Sequence, residues 1–182
     1  ALARADNIGW EHVQLRDVAD DIGIPLADVY SAFPDLDAVG TGLFKRADRA
    51  MLNVARRRGF DKLPARERLH RVMMAWFRAL APHRRHVRVI LRYKFAAAHI
   101  HLRAALIVRL SRTVQWIREA SKLDAVGLRL DVEEIGLTLI FVATVMQWLS
   151  GRSDDLYSTN SFLARRLDRA DHVMAHLWPP VG

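Results

Sequence analysis

Apolar residues in this chain recur at intervals of three and four, and no stretch alternates convincingly with period two. Amphipathic helices have the first pattern and half-buried strands need the second, so an all-α chain is expected. Prolines and glycines divide the pattern into elements. Ala1 to Ile8 reads as the tail of a first helix ended by Gly9. Leu15 to Ile22 forms a second, which Gly23 stops in a position suited to a left-handed cap. A short third helix runs from about Leu26 to Ala32 and is broken by Pro34. Asp35 then caps a long fourth, which continues towards Arg56, Arg57, Arg58 and Gly59. Gly40 and Gly42 within it are expected to permit close helix contact. Beyond Pro64, helices are expected near 65–81, 83–97, 101–123, 131–150 and 159–177.

The segment Ile135 to Leu149 is apolar on nearly every side, with Thr138, Thr144 and Gln147 as its polar breaks. A helix of that kind must be covered all round. One face can pack on its own core while the other meets a second copy of the chain; burial wholly within one subunit is the alternative. The longest apolar run, Leu137 to Leu149, is shorter than the roughly 20 residues of a bilayer span, so no integral membrane association is expected. Cysteine is absent, which removes thiol catalysis, disulfides and cysteine zinc sites and fits a cytoplasmic location.

The formal charge of +8 is unevenly spread along the chain. Residues 1–48 hold four basic side chains, Arg4, Arg16, Lys45 and Arg46, against nine acidic ones. That leaves the first segment at −5 and the remainder at +13. A basic surplus invites a nucleic-acid reading, but here it lies away from the N-terminal helices.

Two short helices joined by a glycine turn and braced by a third can place one helix in a DNA groove. Residues 15–39 carry that pattern, with Val18-Ala19, Gly23-Ile24, Val29-Tyr30 and Phe33-Pro34 ahead of the capped fourth helix. Together with Gly9-Trp10 at the end of helix one, this segment resembles the signature of the TetR family of transcriptional regulators. The resemblance implies a helix-turn-helix DNA-binding head over 1–48 and a helical ligand-binding and dimerisation domain over 49–182. It also implies a homodimeric repressor that binds double-stranded DNA and is controlled by a small apolar or amphiphilic ligand. The DNA-facing positions would be Arg16, Pro25, Leu26, Ala27, Tyr30, Ser31 and Lys45. Where the family usually carries a hydroxyl residue or lysine facing phosphate, this chain has Leu26 and Asp28. Where a lysine usually grips the backbone at the start of the fourth helix, it has Leu36. Phosphate contacts dominate affinity, so these replacements weaken the DNA expectation.

In the family the last two long helices make a four-helix interface about a two-fold axis. This places Leu139, Val142, Val145, Met146, Leu163 and Leu167 at an isologous dimer interface. Helices 65–123 hold large, adaptable side chains, of which Met73, Trp76, Phe77, Tyr93 and Trp116 are the expected ligand-binding residues, with Met74 and Phe95 nearby. Ordinary core packing is the alternative for each. Arg92, Lys94, His99 and His101 could set positive charge at the pocket mouth, favouring an acidic amphiphile. A second resemblance runs from Trp148-Leu149-Ser150-Gly151-Arg152-Ser153-Asp154 through Thr159, Phe162-Leu163 and Arg165-Arg166-Leu167. It is to the ubiquinone-biosynthesis lipid-binding protein, which has a TetR-like fold without DNA binding. That resemblance implies, as the alternative function, an accessory protein holding an isoprenoid lipid.

His172 and His176 lie four apart on one helix, with Asp168 one turn earlier. A glutamate base of the His-Glu-x-x-His kind is missing, so a solvated face is expected rather than a metal site. No phosphate-cradling glycine loop, nucleophile elbow or paired catalytic carboxylate is present. Neither an enzyme nor a cofactor is expected.

Overall fold

The computed structural model describes residues 1–95, 100–151 and 156–178, and for residues 95 and 100–109 the backbone alone. The expected elements form close to their expected limits: α1 Leu2–Ile8, α2 Leu15–Ile22, α3 Leu26–Ala32, α4 Leu36–Val54, α5 Ala65–Leu80, α6 Arg84–Phe95, α7 Ile100–Ala120, α8 Leu128–Ser150 and α9 Tyr157–Leu177. No strand occurs among the described residues. Three short 3-10 turns, at Trp10–His12, Phe60–Lys62 and Ala81–His83, were not expected. Their three-residue runs are too short to show a period in sequence.

Local chemistry explains the boundaries. Gly23 ends α2 at φ 68°, ψ 34°. Its N–H donates to the Asp20 carbonyl at 3.3 Å, and the next N–H, of Ile24, donates to the Ala19 carbonyl at 3.2 Å. This paired closure satisfies the last carbonyls of α2 and favours glycine, whose missing side chain permits positive φ. At the start of α4, Asp35 Oδ1 accepts from the Ala38 N–H at 2.6 Å, the cap expected from the sequence.

Packing groups the chain into two units, Ala1–Arg46 with His83–Leu106, and Ala47–Pro82 with Ile107–Gly182. The expected boundary near residue 48 therefore falls inside α4, and α6 belongs with the N-terminal helices. In the first unit, Trp10, Val13, Val18, Ala19, Val29, Leu43, Phe44, Val87 and Ile90 are buried. Gly40 faces this core: a Cβ there would lie 3.2 Å from Ile90 and 3.5 Å from Trp10, so the glycine permits the close contact its position suggested.

The second unit is built around an aromatic cluster. Trp76 meets Phe77 at 5.3 Å and Phe141 at 5.0 Å between ring centroids, both edge-on, and Phe77 meets Trp148 at 5.7 Å. Edge-to-face packing suits the ring quadrupoles and adds to burial. From α9, Thr159, Leu163 and Leu167 turn inward at four-residue spacing. Lys122, just past α7, has a positive φ of 52°. Arg68 binds the chain there, donating to the Ser121 carbonyl at 2.7 Å and the Lys122 carbonyl at 3.3 Å.

Three stripes divide the surface of α8, as a turn of about 100° per residue requires. Leu137, Phe141, Thr144 and Trp148 are buried. On the opposite side Leu128, Val132, Ile135, Leu139, Val142, Met146 and Leu149 alternate at four- and three-residue steps. Leu128, Ile135, Leu139, Val142 and Met146 are exposed, Leu139 to 66%. Arg129, Glu133, Gly136 and Ile140 form the third stripe, beside a groove described below. At 23 residues α8 is long and apolar enough, by length and composition, to cross a membrane. The shorter run counted from sequence missed this because polar residues near its start do not break the average.

Candidate functional site

In the first unit α3 presents one buried residue, Val29, and turns the rest of its surface to solvent. Of the expected DNA-facing residues, Arg16, Pro25, Leu26, Ala27, Tyr30, Ser31 and Lys45 are all exposed, Tyr30 to 65%. They are accessible, but little of what they offer suits phosphate. Ser31 Oγ donates back to the Ala27 carbonyl at 2.9 Å. Arg16 donates to Gln14 Oε1 at 3.1 Å and lies 3.7 Å from Asp17. Leu26 and the neighbouring Ile22 and Ile24 make the face apolar, and Asp20 and Asp28 stand exposed beside them.

Several of the other carboxylates have partners within the same unit. Arg4 donates to Asp21 at 2.5 and 2.8 Å and reaches Asp17 at 3.4 Å, joining α1 to α2. The hydrogen bond from Arg4 is the main reason the Asp21 carboxyl is held below its usual range. His86 Nε2 of α6 lies 3.1 Å from both the Leu2 carbonyl and Asp6 Oδ2, with Arg85 3.7 Å from Asp6. Lys94 is buried and donates to Asp37. It is therefore an internal tie and not the charge at a pocket mouth that its sequence suggested. His99 lies outside the described residues, as do the side chains of Phe95 and His101; Arg92 is exposed.

Of the five expected ligand residues, four belong to the second unit and Tyr93 to the first. Met73, Trp76 and Phe77 are buried in the aromatic cluster of the second unit, and Trp76 Nε1 donates to Asp48 Oδ1 at 2.9 Å. Trp116 is in the same unit but 51% exposed. Large side chains at core positions fill space instead of enclosing it. A groove of about 400 Å³ lies instead between the start of α5 and the facing sides of α8 and α9. Leu69, Val132, Gly136, Ile140, Val173 and Met174 line it, and Arg66, Arg129, Arg166 and Arg169 stand on its walls with Glu133 and Asp171. No motif in the sequence marks it, since its walls come from three segments far apart along the chain.

Of the expected dimer residues, Leu139, Val142 and Met146 lie on the exposed stripe of α8. Val145, Leu163 and Leu167 are buried inside the subunit, because they fall on the inward stripes of α8 and α9. They have no surface to offer a partner. His172 and His176 are exposed, and His172 Nδ1 lies 2.7 Å from the Asp168 carbonyl.

No family model matches the chain, and no curated protein matches it. Among solved structures it is similar to a TetR transcriptional regulator from Nitrosomonas europaea ATCC 19718, at 34% identity and a TM-score of 0.82. That likeness covers 94% of this chain and 93% of the other. A match of this identity over almost the whole of both chains, on a helix-turn-helix with the expected turn and cap, shows the family: the chain belongs to the TetR family of transcriptional regulators.

Proposed function

We propose that this protein is a homodimeric, cytoplasmic repressor that binds duplex DNA through α3 and responds to a small apolar or amphiphilic ligand. The observation that carries the reading is the outward face of α3. Val29 alone anchors the helix, leaving Leu26, Ala27, Tyr30 and Ser31 free to enter a groove. Lys45 and Arg46, exposed on α4, supply the nearest positive charge. Dimerisation draws support from the unpartnered stripe Ile135, Leu139, Val142 and Met146. Its four-three spacing is that of a helix packed along a second helix. The test is selection of genomic fragments by the purified protein. Enrichment of a palindromic site supports the repressor; retention of random DNA alone counts against it.

A second reading has its own observation. Leu26, Asp28 and Leu36 occupy places where phosphate-facing groups would sit, and the second unit holds a largely apolar groove. These features favour a lipid-binding accessory protein on the same fold that no longer contacts DNA. Mass spectrometry of lipid extracted from the purified protein, alongside the selection experiment, separates the two.

A further inference from the structure

The groove between α5, α8 and α9 has chemistry that neither function above assigns. Its floor is apolar and its walls carry four arginines against two carboxylates. Arg66 is engaged by Asp168 at 2.7 Å, and Arg166 lies 4.9 Å over the Phe162 ring. Arg169 is exposed. Arg129 is the cation held by the groove's own carboxylate: its Nε lies 3.1 Å from Glu133 Oε1, one turn along α8.

Glu133 lies between two cations, one on each carboxylate oxygen. Its side chain is 12% exposed, and its second oxygen, Oε2, is buried with no hydrogen-bond partner. Arg118 of α7, 13% exposed, has its Nη2 3.9 Å from that oxygen, and its Nε is likewise buried and unpartnered. A distance of 3.9 Å is an ion-pair distance but too long for a hydrogen bond, so two half-buried charges face each other without one. Leaving a buried carboxylate oxygen without a donor is costly, and closing the gap would give Oε2 one from Arg118.

We propose that this groove binds an anionic amphiphile, whose headgroup takes Arg129 from Glu133 and lets Glu133 close on Arg118, drawing α7 onto α8. The apolar tail lies along Gly136, Ile140, Val173 and Met174. Charge complementarity selects an anion over a neutral chain, since an incoming anion replaces one carboxylate on Arg129 by another while Glu133 gains a partner. Leu139 belongs both to the Ile135–Met146 stripe and to the groove lining, so a second copy seated on that stripe borders the site. The proposal rests on the ligand-responsive reading for its purpose, but not for the site itself.

Calorimetric titration with decanoate and, as the neutral control, decan-1-ol tests it. Native protein is expected to bind decanoate at least tenfold more tightly than the alcohol. Arg129→Ala should abolish that preference while leaving the alcohol's affinity within threefold. Gly136→Leu should abolish binding of both. A Cβ at Gly136 meets nothing within 4 Å, so the new side chain fills the groove without disturbing the core. Amide hydrogen exchange in residues 110–120 should slow on adding decanoate to native protein and to Arg165→Ala, a control away from the groove, but not to Glu133→Gln. Decanoate binding that survives both Arg129→Ala and Gly136→Leu overturns the site. Unchanged α7 exchange in native protein saturated with decanoate overturns the relay. Conversion of a dimer to a monomer by Gly136→Leu, read by sedimentation, makes the groove an interface and overturns the proposal. Decanoate that binds as described yet leaves DNA affinity unchanged removes ligand control from the function and leaves the site standing.

Discussion

Trp76 joins a large apolar surface to one donor, and both are used: the ring packs against Phe77 and Phe141 while Nε1 reaches Asp48. Truncating it removes the packing and leaves Asp48 without that donor. Trp76→Ala is expected to cost about 3–5 kcal/mol in urea unfolding. It should leave decanoate affinity unchanged, since the ring is not on the groove wall. A second effect belongs to His70. Burial, and after it the neighbouring Arg66, hold its imidazole below the ordinary value near 6.5, against a weaker pull from a hydrogen bond to the Asn160 backbone. Nε2 is buried without a partner, as suits a neutral ring. His83 is lowered too, by burial and then by His86 and Arg46. Because the unfolded chain protonates first, this contribution is present in full above the ordinary value and is lost as the pH falls below it towards the folded-state values. The urea midpoint is expected to fall between pH 7 and pH 5, and His70→Gln to make that fall shallower.

Among the elements, α2, its turn and α3 were legible because their limits depend on residues one to five positions apart. Gly23 had to adopt positive φ, and Asp35 had to cap α4; both do. What α3 can bind depends on its outward residues. Replacing Asp28 by Thr and Leu36 by Lys removes a repelling carboxylate and adds a phosphate-seeking cation. This double variant is expected to bind duplex DNA more tightly than the native protein at low salt, whatever the duplex sequence, in a fluorescence anisotropy titration. No gain in affinity would count against the alignment of these helices on the family pattern. On α8 the sequence showed that two faces were apolar but not which one the subunit would use. Val145, expected at the interface, is buried, whereas Ile135, Leu139 and Met146 are not. Leu139→Arg is therefore expected to give a folded monomer by sedimentation, because it places a charge in the seam and touches no core residue. Val145→Arg should instead prevent folding.

At the scale of the whole molecule, charge counted along the chain differs from charge counted in space. Residues 1–46 carry four basic and eight acidic side chains, but α6 and its neighbours, residues 83–106, add six basic and no acidic ones, so the unit they form stands at +2. The acidic head is in part a docking site for α6, through Asp6 with His86 and Asp37 with Lys94. DNA binding should then rest on few phosphate contacts, with Arg16, Lys45 and Arg46 from each head. At about −0.9 per neutralised phosphate, six contacts in a dimer should give a slope of log affinity against log salt no steeper than about −5.4. A much steeper slope would require contacts from elsewhere in the chain. The sequence by itself determined the helices, their caps and the helix-turn-helix, because hydrogen-bonded turns and side-chain periodicity are settled among near neighbours. Only the tertiary structure decided which apolar residues are core, that α6 joins the head, and that three distant segments enclose a groove beside Glu133. Burial is a property of contacts between residues far apart in sequence, and those contacts leave no local pattern.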